Sequence, residues 1–279
     1  MDLGRYSEAL TRNPNGVWSA DDLAKVSYPS SGHQDCLEVE DGSFWFQHRN
    51  SCISAVVERF PPNGPIFDVG GGNGVVAANL KALGWSVVLV EPGDVGCRNA
   101  KARGLEDIVQ TTFEGAAFHN RVLPAAGLFD VIEHIDDDVG FLRTIGSKLV
   151  PGGRIYATVP ASPWLWSVDD EEAGHFRRYR KRDLVSALQS AGFRVSFVSH
   201  LFAPLPLGIF LLRSLPYRIK LLREVSGSRT KREHMPGGPF QWILTRILRI
   251  ELRRLPVSSI PFGSSILVVA EWPDPSDPS

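Results

Sequence analysis

Cysteine is scarce in this sequence: Cys36, Cys52 and Cys97 are the whole complement. They lie far apart and are odd in number, with no CxxC pair and no Cys/His cluster at metal-ligand spacing. A disulfide framework and a cysteine-built zinc site are therefore excluded, no metal is expected, and a reducing cytoplasm is the expected setting. Net charge is missing as well. Thirty Lys and Arg against 31 Asp and Glu leave −1, so no global attraction to nucleic acid is expected. Long apolar runs are also absent. Ser196 to Leu212 has no Asp, Glu, Lys or Arg, but it contains His200, Pro204 and Pro206 and is too short and broken for a membrane span. Met1 to Arg5 carries no basic stretch leading into an apolar core, so no secretory signal is expected.

What is present is an alternation of short apolar segments. Residues 1 to about 40 read as loop, punctuated by Pro14, Gly16, Pro29 and Gly32. From Ser43 the spacing of Phe44, Phe46, Cys52, Ile53, Val56 and Phe60 predicts a helix that stops at Pro61-Pro62. Strands are expected at 65–69, 85–90, 108–111, 126–131, 154–159, 193–198 and 264–271, with helices at 75–83, 95–103, 138–149 and 183–191. Strand after helix after strand predicts a doubly wound sheet with right-handed crossovers. The alternation breaks between 200 and 256, where prolines, a glycine-rich hinge at Met235 to Pro239 and two basic amphipathic segments occur.

The chemistry concentrates at Asp68-Val69-Gly70-Gly71-Gly72-Asn73-Gly74, a glycine turn between a strand and a helix. Without Cβ atoms such a turn lets a ligand approach the backbone. Glu91 ends the next strand, about 20 residues on, where a carboxylate can accept from both hydroxyls of a ribose. These features fit either S-adenosylmethionine (SAM) or NAD: Gly72-Asn73-Gly74-Val75-Val76-Ala77 satisfies GxGxxA, so an NAD-dependent oxidoreductase is the alternative.

Residues further along favour SAM. Asp68 with Gly70, Gly72 and Gly74, then Glu91, then Phe129-Asp130-Val131-Ile132-Glu133-His134-Ile135, then Leu149-Val150-Pro151-Gly152-Gly153-Arg154 occur in the order seen in class I SAM-dependent methyltransferases, which the sequence resembles over about residues 44 to 200. Phe44-Trp45-Phe46-Gln47-His48-Arg49-Asn50, Trp166-Ser167-Val168-Asp169 and His175-Phe176-Arg177-Arg178-Tyr179 are similar to a bacterial subgroup of that family without assigned substrates. One departure stands out: many relatives carry Gly-Asp-Ala after the third strand, where this chain has Thr111-Thr112-Phe113-Glu114.

The resemblance implies that Gly70, Gly71, Gly72 and Gly74 lie against the methionine moiety of SAM (leaving as S-adenosylhomocysteine), that Glu91 and Pro92 meet the ribose, and that Thr112 and Phe113 flank the adenine. It further implies that Phe129, Asp130 and Val131 line the cofactor floor and that Asp68 acts near the cofactor amino group. Arg49 either pairs with the methionine carboxylate or is a solvated arginine on an exposed helix face.

Methyl transfer needs alignment, exclusion of water and, for a hydroxyl acceptor, a base. His175 and His134 are the candidates, because an imidazole titrates near neutral pH. His134 reads somewhat better as a cap of the following helix. Trp166, Arg177, Arg178 and Tyr179 are the candidate acceptor contacts, with local ion pairs in an acidic loop as the plain alternative. Residues 201–255 hold eleven Lys or Arg against three Glu, a local +8 that leaves −9 elsewhere. Their aliphatic stripes fit a membrane-surface element, a lid over an anionic greasy substrate, or an ordinary packed helix with a basic face. Nucleic acid is disfavoured, because stacking aromatics are few there.

The expected fold is α/β: a doubly wound, mostly parallel, seven-stranded Rossmann-like sheet with an N-terminal helical lid and a helical insertion before the last strand. The expected boundaries are an N-terminal extension at 1–42, the SAM-binding core at 43–200, the basic insertion at 201–258, the final strand at 259–272 and a disordered tail at 273–279. The expected function is SAM-dependent O-methylation of a small-molecule or lipid-linked, anionic acceptor by a cytoplasmic protein with peripheral contact at the inner face of the membrane through 201–255. A non-catalytic SAM-binding or membrane-docking module is the further alternative.

Overall fold

The computed structural model describes residues 1–20, 40, 42–219 and 239–274. Residues 21–39 and 41 of the expected N-terminal extension, Cys36 among them, most of the glycine-rich hinge, the cations between 220 and 232 and the last five residues of the tail lie outside the described residues.

Nine strands form one sheet: β1 (Thr11–Arg12), β2 (Trp18–Ser19), β3 (Ile66–Val69), β4 (Val87–Val90), β5 (Ile108–Gln110), β6 (Leu123–Phe129), β7 (Leu149–Pro160), β8 (Arg194–Leu201) and β9 (Ser265–Glu271). Their order is β1-β2-β5-β4-β3-β6-β7-β9-β8. The strands from β2 to β7 pair in parallel, while β9 runs antiparallel between β7 and β8. β3 and β4 are buried on both faces, which is why they read as unbroken apolar runs.

The helices are α1 (Phe44–Arg59), α2 (Val75–Ala82), α3 (Asp94–Ala102), α4 (Asp138–Lys148), α5 (Val168–Glu172), α6 (Lys181–Ala191), α7 (Leu205–Ile209), α8 (Leu215–Arg218) and α9 (Pro239–Arg254), with a π-helical segment, Phe210–Ser214, joining α7 to α8. Successive strand residues point to opposite faces. Phe67 and Val69 therefore share one core with Phe141 and Leu142 of α4 and Leu184 and Leu188 of α6, whereas Ile66, Val87 and Leu89 share the other with Ile53 and Val57 of α1 and Val76 and Leu80 of α2. Local chemistry sets the helix ends. Ser43 accepts from the Trp45 amide (3.2 Å) to start α1, Asp137 accepts from the Gly140 amide (2.9 Å) to start α4, and Gly192 closes α6 at φ +107°.

Two expectations change. The sheet has nine strands rather than seven, because the hairpin β1–β2 adds to the edge of β5 through Trp18 opposite Val109. The first twenty residues are thus a part of the sheet and not simply a loop. Leu3, Tyr6 and Leu10 are buried in the same core as Phe67, with the Tyr6 ring edge-on to it at 5.0 Å. Their apolar positions are too sparse to show a period, so only the packing reveals them.

The insertion between β8 and β9 is helical in its described parts. Leu244, Leu248 and Leu255 bury themselves against the α1 side of the sheet, each contributing about 2 kcal/mol. Glu251 completes the anchor: it is buried and accepts from the amides of Phe202 (2.7 Å) and Ala203 (2.8 Å), and its Oε1 lies 2.8 Å from Nε2 of His48 on α1.

Candidate active site

Parallel strands leave a crevice where neighbouring strands depart to opposite sides, and here that point lies between the carboxyl ends of β3 and β6. The glycine turn leaves β3 with Gly70, Gly72 and Gly74 all at positive φ, between +55° and +73°, a conformation that side chains with a Cβ resist. Gly71 is constrained differently. A Cβ there would stand 2.4 Å from Cδ1 of Leu89 and 2.6 Å from Oδ2 of Asp68. Val131, after β6, comes up beneath the turn, its Cγ2 3.2 Å from where a Gly70 Cβ would be.

Glu91 is buried at the end of β4 and braces the turn, accepting from the amides of Gly72 (2.9 Å) and Gly93 (2.6 Å). Pro92, half-buried, leads into α3. Asp68 is fully buried, and neither of its oxygens has a hydrogen-bond partner; the Ala77 amide faces it without closing a bond. Burial, helped by the nearby Glu91 charge, pushes its carboxyl up to about 7 against the pull of Arg49.

Arg49 is buried rather than solvated. It forms an ion pair with Asp130, and its guanidinium lies over the rings of Trp45 (4.8 Å) and Phe46 (5.1 Å). Asp130 follows β6 at φ +58°, unusual for a residue with a side chain, and is held there by Thr158, whose hydroxyl donates to Oδ1 (3.0 Å). Phe129 is buried just before it.

Where the resemblance places the adenine, Thr112 accepts from the Gly115 amide (3.0 Å), while Phe113 is buried against Phe118 (5.4 Å) and Phe141 (6.5 Å). Phe113 is thereby a core residue. Thr111, which the sequence did not single out, has a buried hydroxyl without a partner at the carboxyl end of β5. Glu40 was also missed: it accepts from Asn73 of the turn (3.2 Å) and Arg103 (3.0 Å).

The two histidines come together. His134 and His175 stand edge to face with ring centroids 4.7 Å apart, and the Phe176 amide donates to the Glu133 carbonyl (2.8 Å), fixing the loop on the turn after β6. His134 does not cap α4; Asp137 does, because it stands one residue ahead of the helix. Burial and then His175 hold His134 down at about 4, so it is neutral near pH 7. Nδ1 of His175 lies 2.9 Å from Oδ1 of Asp170, whose side chain is fully buried. Burial pushes Asp170 up, but hydrogen bonds from His175 and Arg178 (2.7 Å) outweigh it and hold the carboxyl below its ordinary range. Asp170 is the third residue missed; its sequence signal, one acid among four, could not be separated from its neighbours. Glu133 is buried with both oxygens unpartnered, and burial together with Asp130 raises its carboxyl. Glu133, His134 and His175 each bring one donor atom within 4.8 Å of the others, and so do His48, Cys52 and Glu251. The second set is closed by the anchoring bonds of Glu251.

The expected acceptor contacts fare unevenly. Trp166 is half-buried in the loop. Arg177 pairs with Asp138 (2.9 Å) and Arg178 with Asp170, the local ion pairs of the plainer reading. Tyr179 is buried and donates to Asp138 (2.6 Å), so it braces the loop from within the core.

A parallel sheet in this strand order, a glycine turn backed by a buried acid, and a carboxylate at the end of the next strand define the class I SAM-binding fold. An unpartnered buried carboxyl and a turn with no room for Cβ atoms fit that cofactor. The methyltransferase domain family matches residues 45–196, and the chain belongs to it. This sets aside the NAD-dependent alternative.

Among curated proteins, the ubiquinone biosynthesis O-methyltransferase of Methylocella silvestris is 34% identical over 97 residues, covering 33% of this chain and 38% of that protein. The protein of the same name from Xanthomonas axonopodis pv. citri is 26% identical over 166 residues, covering 53% of this chain and 69% of that one. This chain therefore spans well under half of the first relative's length and about two thirds of the second's. Among solved structures, a SAM-dependent methyltransferase of Thermotoga maritima superposes with a TM-score of 0.53 at 18% identity, over 86% of this chain and 97% of that one. The phosphoethanolamine N-methyltransferase 2 of Haemonchus contortus, solved with SAM, gives 0.53 at 15% identity, over 90% of this chain and 59% of that one. Both show the fold.

Proposed function

We propose that the protein methylates a hydroxyl oxygen of a small-molecule acceptor, free or lipid-linked, with SAM as donor and His175 as base. The observation that carries this is the contact between His175 and the buried, ionised Asp170. Asp170 accepts a hydrogen bond from Nδ1–H, which fixes the tautomer and leaves Nε2 free to take a proton. Bound over the glycine turn, SAM supplies a methyl group on a positively charged sulfur. The acceptor oxygen forms a bond to that carbon as the carbon–sulfur bond breaks, its electron pair stays on sulfur, and the hydroxyl proton passes to Nε2 of His175. Arg178 donates to the same oxygen of Asp170. In this reading Glu91 accepts from the ribose hydroxyls, Arg49 and Asp130 face the methionine end, and Thr111 and Thr112 border the adenine. The O-methyltransferase names of the curated relatives support oxygen as the atom methylated.

The test is methyl-labelled SAM incubated with small-molecule and lipid fractions of a bacterial extract. Label should enter a product as an alkali-stable methyl ether, and His175→Ala should lower turnover by roughly 100-fold or more while SAM affinity is kept. Full turnover in His175→Ala, or label on nitrogen or carbon, would refute the reading.

A further inference from the structure

The insertion carries a run of exposed aliphatic side chains that no part of the proposed reaction uses. Leu207, Leu211, Leu212, Leu215 and Ile219 are all exposed, Leu207 to 66% and Leu212 to 61%. Their spacing of four, one, three and four residues puts them on one side of the helical run from Leu205 to Arg218 and its last turn. A soluble surface tolerates single exposed leucines, but a contiguous stripe marks a contact surface.

The stripe is continuous with the acceptor loop. Trp164 is exposed and lies 5.4 Å from Phe210 and 6.4 Å from the exposed Phe262. The Ser214 hydroxyl donates to the Leu165 carbonyl (2.8 Å), and Arg213 bridges to Asp169 of α5 (2.8 Å), one residue from Asp170. The insertion and the base-positioning helix are thus tied side by side.

Charge identifies the occupant. Arg218, Arg246, Arg249, Arg253 and Arg254 are exposed, and among the described residues from 202 to 262 the sole carboxylate is the buried Glu251. The insertion of a second copy would offer these cations no exposed carboxylate among its described residues. A lipid surface with anionic headgroups instead takes up leucines and arginines together.

We propose that this face docks on an anionic lipid bilayer, with Leu207, Leu211, Leu212 and Leu215 entering the headgroup boundary and the arginines meeting the headgroups. No helix among the described residues is long and apolar enough to cross a membrane, so the contact is peripheral. Resting on the methyltransferase reading, this also assigns the acceptor to the lipid-linked class, because the docked face borders the loop that carries His175.

The experiment is flotation of the full chain with vesicles of phosphatidylcholine, with and without phosphatidylglycerol. The protein should float with the phosphatidylglycerol vesicles and be released by salt. The variant Leu211→Glu/Leu212→Glu should bind at least roughly tenfold more weakly, the loss set by removing two buried leucines. Arg249→Glu/Arg253→Glu should lose the preference for phosphatidylglycerol. Calorimetry with S-adenosylhomocysteine should give the same affinity in all three proteins, showing that the variants fold. Wild-type protein that ignores phosphatidylglycerol, or a leucine variant that binds like wild type, overturns the proposal. So does a wild-type dimer that Leu211→Glu/Leu212→Glu converts to monomer, since a second copy then covers the face. Flotation needs no SAM: failure of S-adenosylhomocysteine to bind any of the proteins counts against the methyltransferase reading, and failure to float counts against docking.

Discussion

Replacing Asp68 with asparagine should change how stability responds to pH. The carboxyl has an ordinary value of 3.8 and is pushed up to about 7 in the fold, so the native state holds its proton more tightly than the unfolded chain. The stabilising contribution of that proton is fully present below about pH 3.8 and is lost as pH rises through about 7. Three units at about 1.4 kcal/mol each make the loss at most roughly 4 kcal/mol. Asparagine carries no such proton, so this component of the pH dependence should vanish even if the variant is less stable throughout. Urea unfolding of both proteins between roughly pH 5 and pH 8 measures it: the wild type should lose stability relative to Asp68→Asn as pH rises. The same carboxyl should ionise when the cationic cofactor arrives, releasing a proton. Calorimetric titration with SAM near pH 6, in two buffers with different ionisation heats, reads that release. Parallel stability curves for the two proteins, or SAM binding without proton release in wild type, would refute the account of Asp68 as a protonated acid awaiting a cation.

Three further outcomes follow from the geometry. Glu91→Gln should weaken SAM binding by roughly tenfold to 100-fold in calorimetry, because it halves the acceptor capacity that the Gly72 and Gly93 amides already share with the ribose site. Asp170→Asn should lower turnover by roughly 100-fold or more with SAM affinity unchanged, since a neutral amide does not stabilise the imidazolium that forms when His175 takes the proton; a fall in SAM affinity alone would make Asp170 a fold residue. Glu251→Gln should cost about 3 kcal/mol in urea unfolding, because a buried acceptor of two amides and an imidazole is replaced by a group that must donate at one atom. An unchanged midpoint would show that the insertion is anchored by its leucines alone.

The βαβ unit with its glycine turn and Glu91 was legible because each element rests on local rules. Four buried residues in a row make β3, positive φ demands glycine at 70, 72 and 74, and the strand-length spacing to Glu91 sets its place. The doubly wound sheet of mostly parallel strands followed from the alternation of elements. The hairpin β1–β2 did not, because two-residue strands show no period. Phe113 read as a flank of adenine from its position, yet its ring is occupied by Phe118 and Phe141.

The sequence by itself narrowed the cofactor to SAM or NAD, since the glycine turn and Glu91 sit at fixed distances along the chain at the ends of successive strands, and its resemblance to the class I methyltransferases favoured SAM. It also named both histidines. Only the tertiary structure decided that Asp170 holds His175, that Arg49 is buried against Asp130, and that the leucines of the insertion stay exposed beside the loop that carries His175. The physical reason is the same in each case: ion pairing and burial depend on which distant segments share a neighbourhood, and that is set by strand order and packing, to which residue periodicity is blind.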